Sequence, residues 1–156
     1  MKQCVLLILV FVQLGFQSVD KAAFYSAMAS ASLEQIDKEL TSVTATTAPE
    51  REAYKGALLM RKAGLLSRPK DKLAAFRSGA TLLESCLAKD SANVEYHFLR
   101  LMIQEHAPRI VHYDTDQEKD SQIITRSFRT LSPALQKAIL DYCPHSKRLQ
   151  QKELNG

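Results

Sequence analysis

The chain contains no tryptophan and few of the residues that interrupt regular secondary structure. Its 156 residues include five glycines and five prolines, fewer than the many turns of a multi-stranded β-fold require. The net charge is +4, and the lysines and arginines are interleaved with acids rather than gathered into a long basic stripe. These deficits favour a helical domain and argue against a nucleic-acid partner.

The longest apolar run lies at the amino terminus. Lys2 precedes nine apolar residues at positions 4–12, and a mixed segment with glycine, glutamine and serine follows as far as Ser18. This order is typical of a secretory signal, and the run is shorter than the ~20 apolar residues of a membrane-spanning helix. We therefore expect a signal in residues 1–18, cleavage near Ser18, a periplasmic or secreted product, and no membrane span in the mature chain. The alternative to a signal is that the apolar run forms a buried strand or helix of the folded domain.

Apolar residues recur at helical spacing through residues 19–146, which we interpret as one all-α domain of about six to seven helices. The clearest pattern repeats every three or four residues and consists of Leu73, Phe76, Ala80, Leu83 and Leu87. Residues 147–156 are mostly polar and are expected to fray.

Local signals predict where some of these helices begin and end. Ser32 with Gln35, and Thr115 with Glu118, match the capping-box pattern at a helix start. Residues 41–48 are rich in β-branched and turn-forming side chains. We therefore expect the helix opened by Ser32 to end there, and residues 41–48 to form a loop.

The central stretch, residues 53–104, resembles a tetratricopeptide-type helical hairpin over about 50 residues. The matching positions alternate large and small side chains on two helices and are Tyr54, Ala57, Leu58, Phe76, Gly79, Leu83 and Cys86. Residues 89–93 resemble the turn that closes such a hairpin. The resemblance implies antiparallel helical hairpins in a layered array. The linker at residues 67–72 is longer than the family's, and no second copy follows at a period of 34 residues.

Three further segments resemble small exported helical proteins of bacteria to which no function is assigned. They are residues 54–60, residues 98–108 and residues 131–140. The resemblance spans most of the predicted mature chain and implies an exported helical protein. It brings no known activity with it.

The helix expected at about residues 93–105 has a broad apolar face and a narrow polar one. The apolar face is wide enough to predict that neighbours cover this helix on two sides. The polar stripe opposite consists of His97, Arg100 and Gln104. We interpret this stripe as a surface for a protein or peptide partner, with an ordinary solvated face as the alternative.

The irregular segment that follows, residues 105–116, concentrates ionisable side chains. We expect Ile110, Val111 and Tyr113 to turn inward. Because of these ionisable side chains, we extend the predicted partner-binding residues beyond the stripe to Glu105, His106, Arg109, His112 and Tyr113. A metal-binding or hydrolytic site is the alternative, and it would also use Asp114 and Asp116 because carboxylates and imidazoles are common metal ligands.

No motif in the sequence predicts an enzyme or a cofactor. The chain has no phosphate-binding glycine loop, no nucleophile elbow and no His-Glu-x-x-His zinc motif. Cys86 and Cys143 remain after removal of the signal, and two cysteines do not make a disulfide framework in a domain of this size. We interpret them as buried thiols, with a disulfide between them as the alternative.

Overall fold

Helices form every regular element of the part of the chain that the structure describes, residues 18–154 of a computed structural model. Within that range the eight α-helices are α1 (Lys21–Ala29), α2 (Leu33–Ala45), α3 (Arg51–Leu65), α4 (Pro69–Lys89), α5 (Val94–Gln104), α6 (Gln117–Ser127), α7 (Pro133–Tyr142) and α8 (Gln151–Leu154). Three 3-10 turns lie at Arg109–Val111, Phe128–Thr130 and Cys143–His145. The predicted all-α fold is confirmed. Residues 1–17, where most of the signal is predicted, lie outside the described residues. None of the described helices is long and apolar enough to cross a membrane.

The α3–α4 hairpin is the most extensive helix pair, and two glycines bring its backbones into contact. A Cβ atom built on Gly56 would lie 2.7 Å from the carbonyl oxygen of Gly79 and 3.0 Å from the backbone nitrogen of Leu83. A Cβ atom on Gly79 would lie 2.5 Å from the carbonyl oxygen of Gly56 and 3.0 Å from the nitrogen of Met60. Gly56 thus meets Leu83, whereas Met60, further along α3, meets Gly79, which is earlier on α4. The two helices are therefore antiparallel.

The linker of this hairpin is shorter than the sequence suggested. Helix α4 begins at Pro69, whose missing N–H is no loss at the first helical position. Asp71 follows in the first turn, where a negative charge is favoured. The expectation of a long linker over residues 67–72 is therefore wrong, because most of those residues belong to α4. Leu73, placed on the buried stripe by its spacing, is 41% exposed.

Helix α2 also extends further than predicted. Ser32 caps it as expected, accepting a hydrogen bond from the backbone N–H of Gln35, but the helix continues to Ala45 through the threonine-rich segment. The hydroxyls of Thr41 and Thr44 donate to the carbonyls four residues earlier, which places them inside the helix rather than in a loop. Val43 is fully buried and anchors this last turn. The predicted loop at residues 41–48 is thus wrong over its first five positions.

Two apolar clusters form the core, and α5 lies between them. Tyr96, Leu99 and Ile103 belong to the cluster built mainly by α1–α4. Phe98 and Leu101, from the same helix, belong to the cluster built with α6, α7 and the carboxyl-terminal segment. The prediction that neighbours cover α5 on two sides is confirmed.

The carboxyl-terminal segment packs against the second cluster. Leu149 and Leu154 are buried there, although their neighbours are polar. The segment that was expected to fray thus includes the short helix α8 and two buried leucines. The few apolar residues of the segment, rather than its average polarity, determine its position.

Candidate functional site

The polar stripe of α5 faces helix α6 rather than solvent. His97, Arg100 and Gln104 are all buried. The guanidinium of Arg100 donates from Nε to Oδ2 of Asp120 and from Nη2 to Oδ1, both at 2.8 Å. Asp120, in the first turn of α6, is completely buried. The expectation of an exposed stripe on α5 is wrong, because α6 supplies a carboxylate that covers it.

His97 completes this buried cluster with both of its ring nitrogens. Its Nδ1 lies 2.7 Å from Oδ1 of Asp120, and its Nε2 lies 2.9 Å from the backbone carbonyl oxygen of Ser91. Both neighbours are hydrogen-bond acceptors, so both ring nitrogens donate and the imidazole carries a positive charge. An imidazolium with both N–H groups engaged has no lone pair for general base catalysis.

The protonation states follow from the balance between burial and hydrogen bonding. Burial lowers the pKa of His97, but its bonds to Asp120 and to the Ser91 carbonyl outweigh burial and leave the pKa raised. For Asp120 burial acts to raise the pKa, and the hydrogen bonds from Arg100 and His97 more than reverse this, so the pKa is lowered. Both shifts therefore favour the charged forms, an imidazolium at His97 and a carboxylate at Asp120.

Two more carboxylates lie beside Arg100 towards the surface. Nη1 of Arg100 lies 3.0 Å from Oε2 of Glu84 on α4 and 3.6 Å from Oδ2 of Asp116. Glu84 also accepts a hydrogen bond of 2.5 Å from the hydroxyl of Tyr113. The cluster thus joins α4, α5, α6 and the segment between α5 and α6. It is a structural junction whose members are engaged with one another.

Gln104 is the one member of the stripe without a full set of partners. Its side-chain oxygen is buried and has no hydrogen-bond partner among the described residues. Its backbone carbonyl accepts from the side-chain amide of Gln117 at 3.1 Å.

A second buried carboxylate, Glu95, ties α5 to the amino-terminal helices. Its Oε1 accepts from the hydroxyl of Tyr54 on α3 at 2.7 Å and from that of Tyr25 on α1 at 2.9 Å. Its Oε2 pairs with the ammonium of Lys21. Neither Glu95 nor Asp120 was predicted from the sequence as a functional residue. Each lies four residues before an apolar core position, Leu99 and Ile124 respectively. An acid on an apolar stripe is the signal that would have identified them.

Glu105, predicted as a binding residue, instead holds the carboxyl-terminal segment. Its Oε1 accepts from the backbone N–H groups of Lys147 and Arg148 at 2.7 and 3.0 Å, and from Oγ of Ser146 at 3.1 Å. Its Oε2 accepts from the hydroxyl of Tyr142 at 2.7 Å. One carboxylate therefore fixes the turn that leads from α7 to α8.

The segment between α5 and α6 presents an apolar side chain to solvent. We name residues 109–113 the Ile110 tip. Ile110 is 85% exposed, so the expectation that it turns inward is wrong. Val111 and Tyr113 pack against the first core cluster as predicted. His112 adopts the left-handed backbone conformation, with φ of 48°, and it is the only non-glycine residue with positive φ in residues 18–154.

Both ends of the Ile110 tip are held by the rest of the domain. At its carboxyl end, the ring of Tyr113 contacts that of Phe76 at a centroid distance of 5.5 Å, and the Tyr113 hydroxyl is bound to Glu84. Before the tip, Ala107 packs against the first core cluster. Helix α6 starts at Gln117 with Asp116 at the cap position, so the predicted start at Thr115 is wrong; the Thr115 hydroxyl donates to Asp116 instead.

The ionisable residues of segment 105–116 point to different partners. Glu105 faces residues 146–148 and Asp116 faces Arg100, while Arg109, His112 and Asp114 are exposed. Residues 18–154 contain no group of three or more histidine, cysteine or acidic side chains placed to hold a metal ion. The metal-binding interpretation of this segment therefore has no geometric support in the described residues.

The two cysteines of the described region are free. Cys143 is buried in the second core cluster, whereas Cys86 is partly buried beside the first. Burial raises the pKa of both thiols. The prediction of a buried free thiol is confirmed for Cys143, whereas Cys86 is free but only partly buried.

Two open grooves mark the surface. The first has a volume of about 370 Å³ and lies between α6 and the carboxyl-terminal segment. We name it the basic groove because its charged lining residues are Arg126, Lys147, Arg148, Glu118 and Glu153, an excess of one positive charge. The second, of about 570 Å³, lies between α2 and α3 and is mainly apolar.

Comparisons of the chain with protein-family models, with curated proteins and with solved structures give no match. The protein class is therefore defined by the fold alone, which is an all-α domain of layered helices.

Proposed function

We propose that this protein is an exported helical interaction protein that binds a protein partner, and that the Ile110 tip makes the contact. The observation that carries the proposal is the 85% exposure of Ile110 on a segment held at both ends. A single exposed apolar residue is ordinary on a protein surface. This one, however, is displayed by a braced segment that includes a left-handed non-glycine residue, and such backbone outliers cluster at functional sites.

The flanking side chains indicate the chemistry of the partner. Arg109 and His112 are exposed on either side of Ile110. An apolar side chain between two basic ones suits a pocket with an apolar floor and an acidic rim. Because the tip is already ordered, binding would immobilise little additional chain, which favours affinity.

Export is the second part of the proposal. It is supported by the signal-like segment in residues 1–18. The predicted cleavage point precedes the first described helix, and Asp20, which caps α1 through the N–H groups of Ala22 and Ala23, lies beyond it. Cleavage near Ser18 would therefore leave all eight described helices intact.

The decisive experiment places a photo-crosslinking amino acid at position 110 in cells that produce the protein. We expect one discrete crosslinked product, and Ile110→Ser should abolish co-purification of the same partner without lowering the Tm. The matched control is position 73, because Leu73 is also an exposed large apolar residue but lies on α4. Equal crosslinking from both positions, or a partner that still co-purifies with Ile110→Ser, would refute the tip. Export is tested separately by the mass of the protein recovered from outside the cytoplasm. A mass that still includes residues 1–18 would contradict cleavage near Ser18.

A further inference from the structure

We propose that the basic groove between α6 and the carboxyl-terminal segment binds an acidic polypeptide segment. The groove has a volume of about 370 Å³, within the range of small-ligand clefts. One wall is the solvent side of α6, which contributes Arg126 and Thr125. The other is formed by Lys147, Arg148 and the residues after them. This inference uses none of the residues of the Ile110 tip and does not depend on the proposed function.

The cations of the groove are available to a ligand. Within residues 18–154 the ammonium of Lys147 has no ion-pair or hydrogen-bond partner, and Arg126 makes only a long bond of 3.5 Å to the side-chain oxygen of Gln122. Arg148 pairs with Glu118 at 2.9 Å, but both side chains are about half exposed. Exposed pairs of this kind contribute little, so Arg148 can exchange Glu118 for the carboxylate of a ligand.

The position of the cations is fixed by contacts of the backbone that carries them. The carboxylate of Glu105 binds the backbone N–H groups of Lys147 and Arg148, and Leu149, the next residue, is buried. The backbone that carries both side chains is therefore held at a constant distance from α6. A surface with its charges already in place loses less entropy when it binds.

The composition of the lining favours a polypeptide over a nucleic acid. Hydroxyl and amide groups of Ser121, Gln122, Thr125 and Gln150 lie among the charges and can bond to peptide N–H and C=O groups. Glu118 and Glu153 also line the groove. These carboxylates accept hydrogen bonds from a peptide backbone but repel a phosphate backbone, and nucleic-acid binding generally draws on many more phosphate contacts than three cations provide.

The test measures fluorescence anisotropy of a short labelled peptide of alternating glutamate and serine, at low salt, with the purified protein. We expect saturable binding that weakens by about tenfold in the double variant Arg126→Gln/Lys147→Gln, because two exposed ion pairs are lost. The matched control, Lys72→Gln/Arg77→Gln, removes the same charge from exposed positions on α4 and should bind as the wild type does. Glu118→Gln should bind roughly threefold more tightly, because it frees Arg148 and removes a repelling charge.

Several outcomes would overturn the inference. Equal losses in the two double variants would mean that net charge alone attracts the peptide. Absence of saturable binding would mean that the groove does not bind acidic peptides. Tighter binding of a polythymidylate of equal charge would indicate a nucleic-acid ligand, and tighter binding of phosphatidylglycerol vesicles would indicate a membrane surface. Changes in the amide chemical shifts of the wild-type protein when the peptide is added provide a measurement of binding that does not depend on the folding of any variant. They should concentrate at residues 121–126 and 147–150.

Discussion

Arg100 on α5 and Asp120 on α6 form an ion pair with two parallel hydrogen bonds of 2.8 Å, and both side chains are shielded from solvent. The two helices run antiparallel here, because Gln104, further along α5, meets Gln117, which is earlier on α6. A buried charge pair specifies this register, since a shift of either helix would leave charges unpaired in the interior.

Replacing Asp120 with Asn should therefore lower the free energy of unfolding by about 3–5 kcal/mol, because Arg100 and His97 would keep buried positive charges without their shared counter-charge. The double variant Arg100→Met/Asp120→Asn should lose less than the sum of the two single variants, because it removes the charge on both sides. Urea unfolding of the four proteins gives the coupling directly.

The control for this cycle is an exposed pair. Lys137 and Asp141 are one helical turn apart on α7 and largely exposed, so Lys137→Gln should cost less than about 0.5 kcal/mol. Additive costs at Arg100 and Asp120 would mean that the two side chains do not stabilise each other.

His97 should make stability depend on pH. Because its folded-state pKa is raised above the usual value of about 6.5, its contribution is complete below pH ~6.5 and is lost as the pH rises through the folded-state pKa. Asp120 has a lowered pKa, so its contribution is complete above its unfolded-state pKa and is lost only at lower pH. The cluster should therefore be most stabilising in mildly acid solution, between these two limits.

The measurement is the unfolding free energy of the wild type and of His97→Gln between pH 5 and pH 9, the range that brackets a histidine titration. The wild type should lose more stability than the variant as the pH rises. Nitrogen NMR of the imidazole should show both ring nitrogens protonated at neutral pH, with the variant providing the assignment. A His97 resonance that titrates below the ordinary histidine pKa would contradict the buried imidazolium.

Some helix boundaries followed from local features of the sequence, whereas packing partners did not. For α7, Ser132 caps the helix, Pro133 occupies its first position, and Leu135 and Ile139 are buried, and all of these are local features, because caps and apolar spacing act over a few residues. The stripe of His97, Arg100 and Gln104 was also correctly placed on one face of α5. What covers that face was not predictable from its own helix, because Asp120 lies 20 residues beyond Arg100 in the sequence.

The same limit explains the error at Ile110. An isoleucine between Pro108 and Tyr113 is expected to turn inward because burial of its side chain is favourable. Tyr113 and Val111 occupy the available positions on the first core cluster. The turn that places them there, with His112 in the left-handed conformation, leaves Ile110 outside. Which of several neighbouring apolar residues is buried depends on the geometry of the turn, which composition does not determine.

Two glycine-to-alanine substitutions in the α3–α4 hairpin, one at the contact between Gly56 and Gly79 and one away from it, should have opposite effects on stability. Gly79→Ala should destabilise the domain by about 2 kcal/mol or more, because the new methyl group would meet the backbone of α3 and neither backbone can yield without separating the helices. Gly64→Ala, near the end of α3, is the matched control. Its nearest neighbour would be a flexible Arg61 side-chain nitrogen at 3.9 Å, so the gain in helix propensity should stabilise by about 0.5–1 kcal/mol. Thermal and urea unfolding measure both, and a neutral Gly79→Ala would show that the helices are further apart than described.

Glu105 should control whether residues 146–154 stay attached to the domain. Glu105→Ala removes the acceptor of three hydrogen bonds from residues 146–148 and of one from Tyr142. Hydrogen bonds to a charged group are among the stronger ones, and we expect a loss of about 1–3 kcal/mol for detaching the segment. The rest of the domain should unfold at a similar temperature, because the clusters on both sides of α5 keep most of their contacts.

Limited trypsin digestion detects this local opening, because cleavage after Lys147 and Arg148 requires the backbone to leave its bound position. The variant should be cut there faster than the wild type, with residues 18–142 remaining folded. Glu118→Gln is the control, since Glu118 contacts the same segment only through the exposed side chain of Arg148 and its loss should leave the cleavage rate nearly unchanged. Equal acceleration in both variants would mean that surface charge, rather than the Glu105 carboxylate, holds the segment in place.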